Sequence, residues 1–157
     1  MKANIGITAK NTQQVTEILS KLLADEFVLY TKTRNAHWNV EGPDFFDKHK
    51  FFEGQYEQLD DLMDEVAERI RKIGHYSPGT LKSFLELTHL TEQRTGQTNA
   101  LNFIKDLVAD HESVIIFLRE NIEHVEDKLG DVGTSDFLTG LLKEHEGMAW
   151  FLRAHIK

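Results

Sequence analysis

The sequence predicts an all-α fold: a four-helix bundle with one short extra helix in the long crossover between helices 2 and 3. Three observations carry this. Two prolines in 157 residues leave room for long uninterrupted helices. Apolar residues recur at helical spacing through four long stretches. The strong breaks fall at Gly42-Pro43, across residues 75–97, and at Gly130-Asp131-Val132-Gly133.

Residues 1–10 read as a short flexible arm carrying Lys2 and Lys10, and residues 11–157 as a single domain. A first helix is expected to start near Asn11 or Thr12, either of which can cap it. Its buried stripe is Val15, Ile18, Leu19, Leu22, Leu23, Leu29 and Tyr30, and its last turn holds His37 and Trp38. A second helix begins around Pro43-Asp44, where proline suits a first helical position, and ends near Ile73 with Gly74 as its left-handed terminus. Its seam repeats every seven positions as Phe45, Phe52, Leu59, Val66 and Ile73; a second seam, Tyr56, Met63 and Ile70, begins at His49.

Pro78, Gly79 and Gly96 surround one short helical segment, Leu81–Leu87, in a connection too long to join adjacent antiparallel helices. A third helix is expected over 98–128, with Leu101, Ile104, Leu107, Val114, Leu118, Ile122 and Val125 inward. After the glycine turn, Thr134 or Ser135 caps a fourth helix with Phe137, Leu138, Leu141, Leu142, Met148 and Leu152 inward. Two short connections and one long crossover match a ferritin-like bundle.

Composition narrows the function classes. Cysteine is absent, so thiolate ligation and disulfides are excluded. The first residues lack the apolar core of a signal peptide, and no apolar run is long enough to span a membrane; a cytoplasmic protein is expected. A formal charge of −8 argues against a globally basic nucleic-acid binder.

The chemistry concentrates on the second helix. At about 100° per residue, with His49 at zero, Glu53 falls near 40°, Asp64 near 60° and Glu68 near 100°. These form one stripe along the edge of the apolar seam, with His37 just before the break. Imidazole and carboxylate ligands suit iron, manganese or zinc. Each of His49/Glu53 and Asp64/Glu68 is an i,i+4 pair, close enough to share an ion. The two pairs lie about 22 Å apart along the helix, so one ion cannot take ligands from both within a chain. A metal reading therefore requires two chains related by a two-fold axis, with His37, His49 and Glu53 from one and Asp64 and Glu68 from its mate. Solvated acids and a satisfied core histidine would show the same spacing. A self-contained di-iron site would need two Glu-x-x-His motifs on core helices. The one present, Glu86-Leu87-Thr88-His89, lies in the crossover.

The segment Asn35-Ala36-His37-Trp38-Asn39-Val40-Glu41-Gly42-Pro43-Asp44-Phe45-Phe46, then His49, then Asp64-Glu65-Val66-Ala67-Glu68-Arg69, resembles the Dps family of ferritin-like mini-shells. The resemblance runs over nearly the whole chain, to the closing Trp150-Phe151-Leu152-Arg153-Ala154. It implies Fe(II) oxidation, preferably by hydrogen peroxide, at intersubunit sites of a dodecamer that stores ferric mineral. By position, His37, His49, Asp64 and Glu68 match the family's ligands. Glu53 stands where many members have aspartate, one methylene shorter.

The resemblance also gives roles to other residues. Glu68 is the expected bridge between two irons. Trp38 is either a sacrificial electron donor or an apolar anchor at the dimer interface. Glu126, Asp127, Asp131 and Asp136 either line an iron-entry pore or form a solvated capping loop. His75, His89, His111, His124, His145 and His155 show no ligand spacing and are read as surface or core histidines. Many members bind DNA through lysine-rich tails, but the ends here hold only Lys2, Lys10, Arg153 and Lys157. Weak or absent DNA binding is expected, and a nucleoid-compacting protein with a secondary metal site is the alternative.

Overall fold

The computed structural model describes residues 3–93 and 95–156; Lys2 and Lys157 lie outside them. Five α-helices follow in order: α1 (Ala9–Asn39), α2 (Phe45–Lys72), the short α3 (Leu81–Leu87), α4 (Ala100–Glu123) and α5 (Val132–Arg153). A π-helical turn, His124–Lys128, extends α4.

Cross-helix contacts give the directions. Thr12 meets His75 and Tyr30 meets Tyr56, so α2 runs back along α1. Asn11 bonds the Leu129 carbonyl while Lys32 pairs with Asp110, so α4 is also antiparallel to α1. Ser135 bonds Glu126, Glu146 pairs with Arg119 and Arg153 pairs with Glu112, so α5 runs back along α4. The order is up, down, down, up. The second and third long helices run the same way, so the chain must cross the length of the bundle between them, carrying α3 along α1. The core is apolar along all four long helices, with Leu19, Leu22, Phe52, Leu59, Phe103 and Leu138 among its fully buried side chains.

Several ends differ from the sequence reading, each for a local reason. Thr8 caps α1, accepting from the Asn11 amide, because the Asn11 side chain is engaged by Leu129 and the Thr12 hydroxyl donates to Ala9. The helix thus starts at Ala9, and Ala3 lies against Gly74, whose φ of 98° leaves it no room for a Cβ. Asp131, rather than Thr134 or Ser135, caps α5: its carboxylate accepts from the Thr134 amide and hydroxyl and from Arg69 of α2. Asp131 is therefore buried and held in the fold, which removes it from the proposed pore acids. Leu101 and Phe45, read as inward, are exposed in the single chain, and Phe137 is half-buried.

Polar groups also sit inside, among them two of the histidines read as surface or core. Glu26, His111 and His145 are fully buried and linked, His145 Nε2 lying 2.6 Å from Glu26 Oε1 and the two Nδ1 atoms 3.0 Å apart. Asp25, also fully buried, accepts from the Thr88 hydroxyl and the His89 amide and pairs with the His89 ring. These bonds fasten the crossover to α1.

Candidate metal centre

The break at Gly42-Pro43 brings the last turn of α1 against the first turns of α2. Proline cannot continue α1, and Gly42 adopts φ 135°, reserved in practice for glycine. The chain reverses there, and Glu41 pairs with the Thr98 carbonyl on the far side. His37 and His49 consequently face each other with ring centroids 3.8 Å apart and planes 20° from parallel.

Their hydrogen bonds are reciprocal. His37 Nδ1 lies 2.8 Å from the His49 carbonyl oxygen, and His49 Nδ1 lies 2.9 Å from the His37 carbonyl oxygen. A carbonyl only accepts, so each Nδ1 carries the proton and donates. In the neutral ring each Nε2 is then left with its lone pair. A metal-binding histidine requires this: a backbone carbonyl fixes the tautomer and orients the free nitrogen. Phe45 packs on His49 at 5.2 Å, and Tyr56 stands edge-on to His37 at 5.1 Å.

Glu53 lies one turn beyond His49 on α2 and is bonded by Lys50. That hydrogen bond, with the Lys50 charge, lowers the Glu53 titration from its ordinary value against a smaller opposing effect of burial. His37 is buried, His49 and Glu53 are half-buried.

Asp64 and Glu68 lie toward the other end of α2, and both are exposed. Glu68 accepts from Lys72 at 2.9 Å. Among the described residues no group of three His, Asp or Glu converges on a point where one chain alone would hold a metal. The structure stacks His37 on His49, with Glu53 one turn further along α2, and leaves Asp64 and Glu68 apart from them.

The description "Ferritin-like domain" matches residues 16–157. A "DNA protection during starvation protein 2" from Bacillus anthracis is 39% identical over 111 residues, covering 71% of this chain and 75% of that protein. The Dps crystal structure from Vibrio cholerae O1 superposes with a TM-score of 0.92 at 30% identity, over 100% of this chain and 98% of that one.

This chain belongs to the Dps family.

A Dps protein from Bacillus brevis gives a TM-score of 0.89 at 32% identity, over 96% of this chain and all of the other. An uncharacterized low temperature-induced protein of Nostoc sp. is 41% identical over 127 residues, 81% of this chain and 71% of that protein. Membership of the Dps family agrees with the resemblance seen in the His37 and Asp64 segments and with the up-down-down-up order of the helices.

One residue near the site, Arg34, went unread in the sequence, and Tyr30 and Tyr56 were read only as positions in the buried stripes. Tyr30 and Arg34 follow each other at helical spacing on α1 and meet Tyr56 across the α1–α2 seam, with Arg34 lying over both rings. The i,i+4 step from Tyr30 through Arg34 to Trp38 was the available signal.

Proposed function

We propose that the protein is a ferroxidase and iron-storing mini-ferritin, taking Fe(II) as substrate at intersubunit sites and oxidising it with peroxide. The observation that carries this is the reciprocal histidine clasp, which fixes two imidazole tautomers with both Nε2 lone pairs free. Two histidines and one carboxylate make half of a coordination sphere. Asp64 and Glu68 of a second copy, brought in antiparallel by a two-fold axis, supply the rest. Hard carboxylates favour Fe(III) over Fe(II), which assists oxidation, and Glu68 is the proposed bridge between two ions. Two Fe(II) each release one electron, and peroxide takes both and leaves as water, so no hydroxyl radical is released. Lys50 and Lys72 occupy Glu53 and Glu68 in the single chain, so metal entry displaces two ammonium groups.

The Vibrio cholerae Dps protein is a member of the ferritin-like diiron-carboxylate superfamily, which supports iron as the metal; manganese and zinc suit the same donors. A groove along α1 and α3, edged by the exposed Trp38, Leu81 and Leu85, offers an apolar surface for the second copy. That placement favours Trp38 as an interface anchor. Closed assembly into a dodecamer, with ferric mineral inside and a cytoplasmic location, completes the reading. No helix among the described residues is long and apolar enough to cross a membrane.

The test is stopped-flow Fe(II) oxidation under peroxide and under oxygen, comparing wild type with His37→Ala and Glu68→Ala. Both substitutions are expected to cut the rate by at least about tenfold, as loss of a ligand does. Unchanged rates in both would remove the site.

Relatives named for DNA protection or DNA binding raise a second reading, nucleoid compaction. Here the charge of −8 on every chain opposes a polyanion. No gel shift of duplex DNA is expected at about 150 mM salt; a clear shift there would reinstate it.

A further inference from the structure

We infer that Asp25, His89 and Ser113 form a nucleophilic site that hydrolyses activated acyl esters. The site stands apart from the metal centre, and nothing in it depends on the ferroxidase reading. His89 lies in the crossover between α1 and α4, and its two ring nitrogens meet different partners. Nδ1 lies 2.7 Å from Asp25 Oδ2, and Nε2 lies 2.8 Å from the Ser113 hydroxyl oxygen. A hydroxyl, a base on that hydroxyl and a buried acid behind the base recur in this order on unrelated folds.

Exposure grades along the row. Asp25 is fully buried, the His89 side chain is 31% exposed and Ser113 is half-buried, so the hydroxyl end is the reachable one. Asp25 is held in place by Oδ1, which accepts from the Thr88 hydroxyl at 2.7 Å and the His89 amide at 2.9 Å. Its Oδ2 faces the ring. The Nδ1–Oδ2 contact is short but not aligned as a hydrogen bond, so Asp25 acts on the ring mainly through its charge. A carboxylate beside Nδ1 favours the tautomer protonated there, which leaves the Nε2 lone pair to accept from Ser113. Thr16, Thr31 and Thr33 turn their hydroxyls back onto carbonyls of their own helix, whereas Ser113 meets a ring from another segment. Fastening the crossover accounts for the two bonds to Asp25 Oδ1. It does not require the ring to face a reachable hydroxyl.

The surroundings set the substrate class. Phe117 lies one turn beyond Ser113 on α4, tilted against His89 at 5.9 Å, with the Lys21 ammonium 4.7 Å from its ring centre. The ring offers a rest for a small acyl group, and Lys21 a positive charge beside it. The amides around Ser113 are spent within α4, so they cannot form an oxyanion hole. Cleavage is therefore confined to acyl groups on good leaving groups, such as aryl esters and thioesters, and does not extend to amides. In the first step Ser113 Oγ bonds to the acyl carbon while its proton passes to His89 Nε2. The leaving group departs with that proton and an acyl-serine remains. Water then gives a proton to Nε2 and its oxygen to the acyl carbon. The carboxylic acid leaves, and Ser113 regains its proton.

The test uses the assembled, metal-free protein with two probes, p-nitrophenyl acetate and a fluorophosphonate. Wild type is expected to release a burst of about one p-nitrophenol per chain and then turn over slowly, as an accumulating acyl-enzyme does. The fluorophosphonate should lose fluoride and leave its phosphorus on Ser113 Oγ, where peptide mapping finds it. Ser113→Ala should abolish both the burst and the label, with assembly size and melting temperature unchanged. His89→Gln should slow labelling of Ser113 by at least about tenfold. Asp25→Asn keeps an acceptor for Thr88 and the His89 amide but removes the charge, and should slow labelling by at least about tenfold while the crossover stays protected from hydrogen exchange. An unlabelled Ser113 in folded wild type overturns the site. So does a burst undiminished in Ser113→Ala, or labelling as fast in His89→Gln as in wild type.

Discussion

At the scale of single residues, the buried Glu26–His145–His111 chain carries the sharpest prediction. An ionised Glu26 requires His145 to donate from Nε2, which leaves His145 Nδ1 to accept from His111. His111 Nε2 and Glu26 Oε2 have no partner among the described residues. Burial, reinforced by the Arg153 charge, pushes the His111 titration well below its ordinary value of 6.5. A histidine held neutral in the fold gains its proton only on unfolding. Its contribution to stability is therefore complete above about pH 6.5 and is lost as the pH falls toward its folded value. Urea unfolding should lose up to about 1.4 kcal/mol per pH unit from this group as the pH drops below 6.5. His111→Gln, which keeps a donor for His145 but cannot titrate, should flatten the slope by that amount. An unchanged slope would contradict the assignment.

At the scale of elements, the crossover is held to the bundle by side chains of α1 and α4. Phe84 of α3 stacks on Phe27 of α1 at 4.5 Å, and Asp25 fastens Thr88 and His89. Asp25→Ala should free this segment while the long helices stay formed. Hydrogen exchange of the His89 and Leu90 amides should rise by at least about tenfold, with α4 and α5 protection retained. Uniform loss of protection would instead make Asp25 a support of the whole core. The same elements show what the sequence revealed and what it hid. The Phe52-Leu59-Val66 seam, the Leu81–Leu87 segment and the left-handed Gly74 were legible because period, proline and glycine encode local geometry directly. The Thr8 and Asp131 caps were not, since each was chosen over a near neighbour by a distant partner: Leu129 engages Asn11, and Arg69 engages Asp131. Asp25 and Glu26 interrupt an otherwise apolar run between Leu22 and Leu29. That was a sign of buried polar groups, but only the fold could name their partners. For the site, spacing gave the stripe and the need for a second chain; the histidine clasp depends on backbone carbonyls that a sequence does not display.

At the scale of the whole molecule, the two-fold proposal makes a prediction no single-chain site shares. His37→Ala and Glu68→Ala chains, each inactive alone, should recover activity when unfolded together and reassembled. Random pairing makes half of the dimers mixed, and each mixed dimer holds one intact site of two, so about a quarter of wild-type activity should return. No recovery in correctly sized assemblies would place all the ligands within one chain. Native mass measurement on the same samples separates failed assembly from failed chemistry.

The position of both ligand pairs on α2 also constrains how this chain can change in evolution. The helix between Glu53 and Asp64 acts as a ruler. One inserted residue turns everything beyond it by about 100° and advances it by about 1.5 Å. On the two-fold proposal the error repeats on the mate, so both proposed centres lose register at once. Length changes in that stretch should therefore be purged.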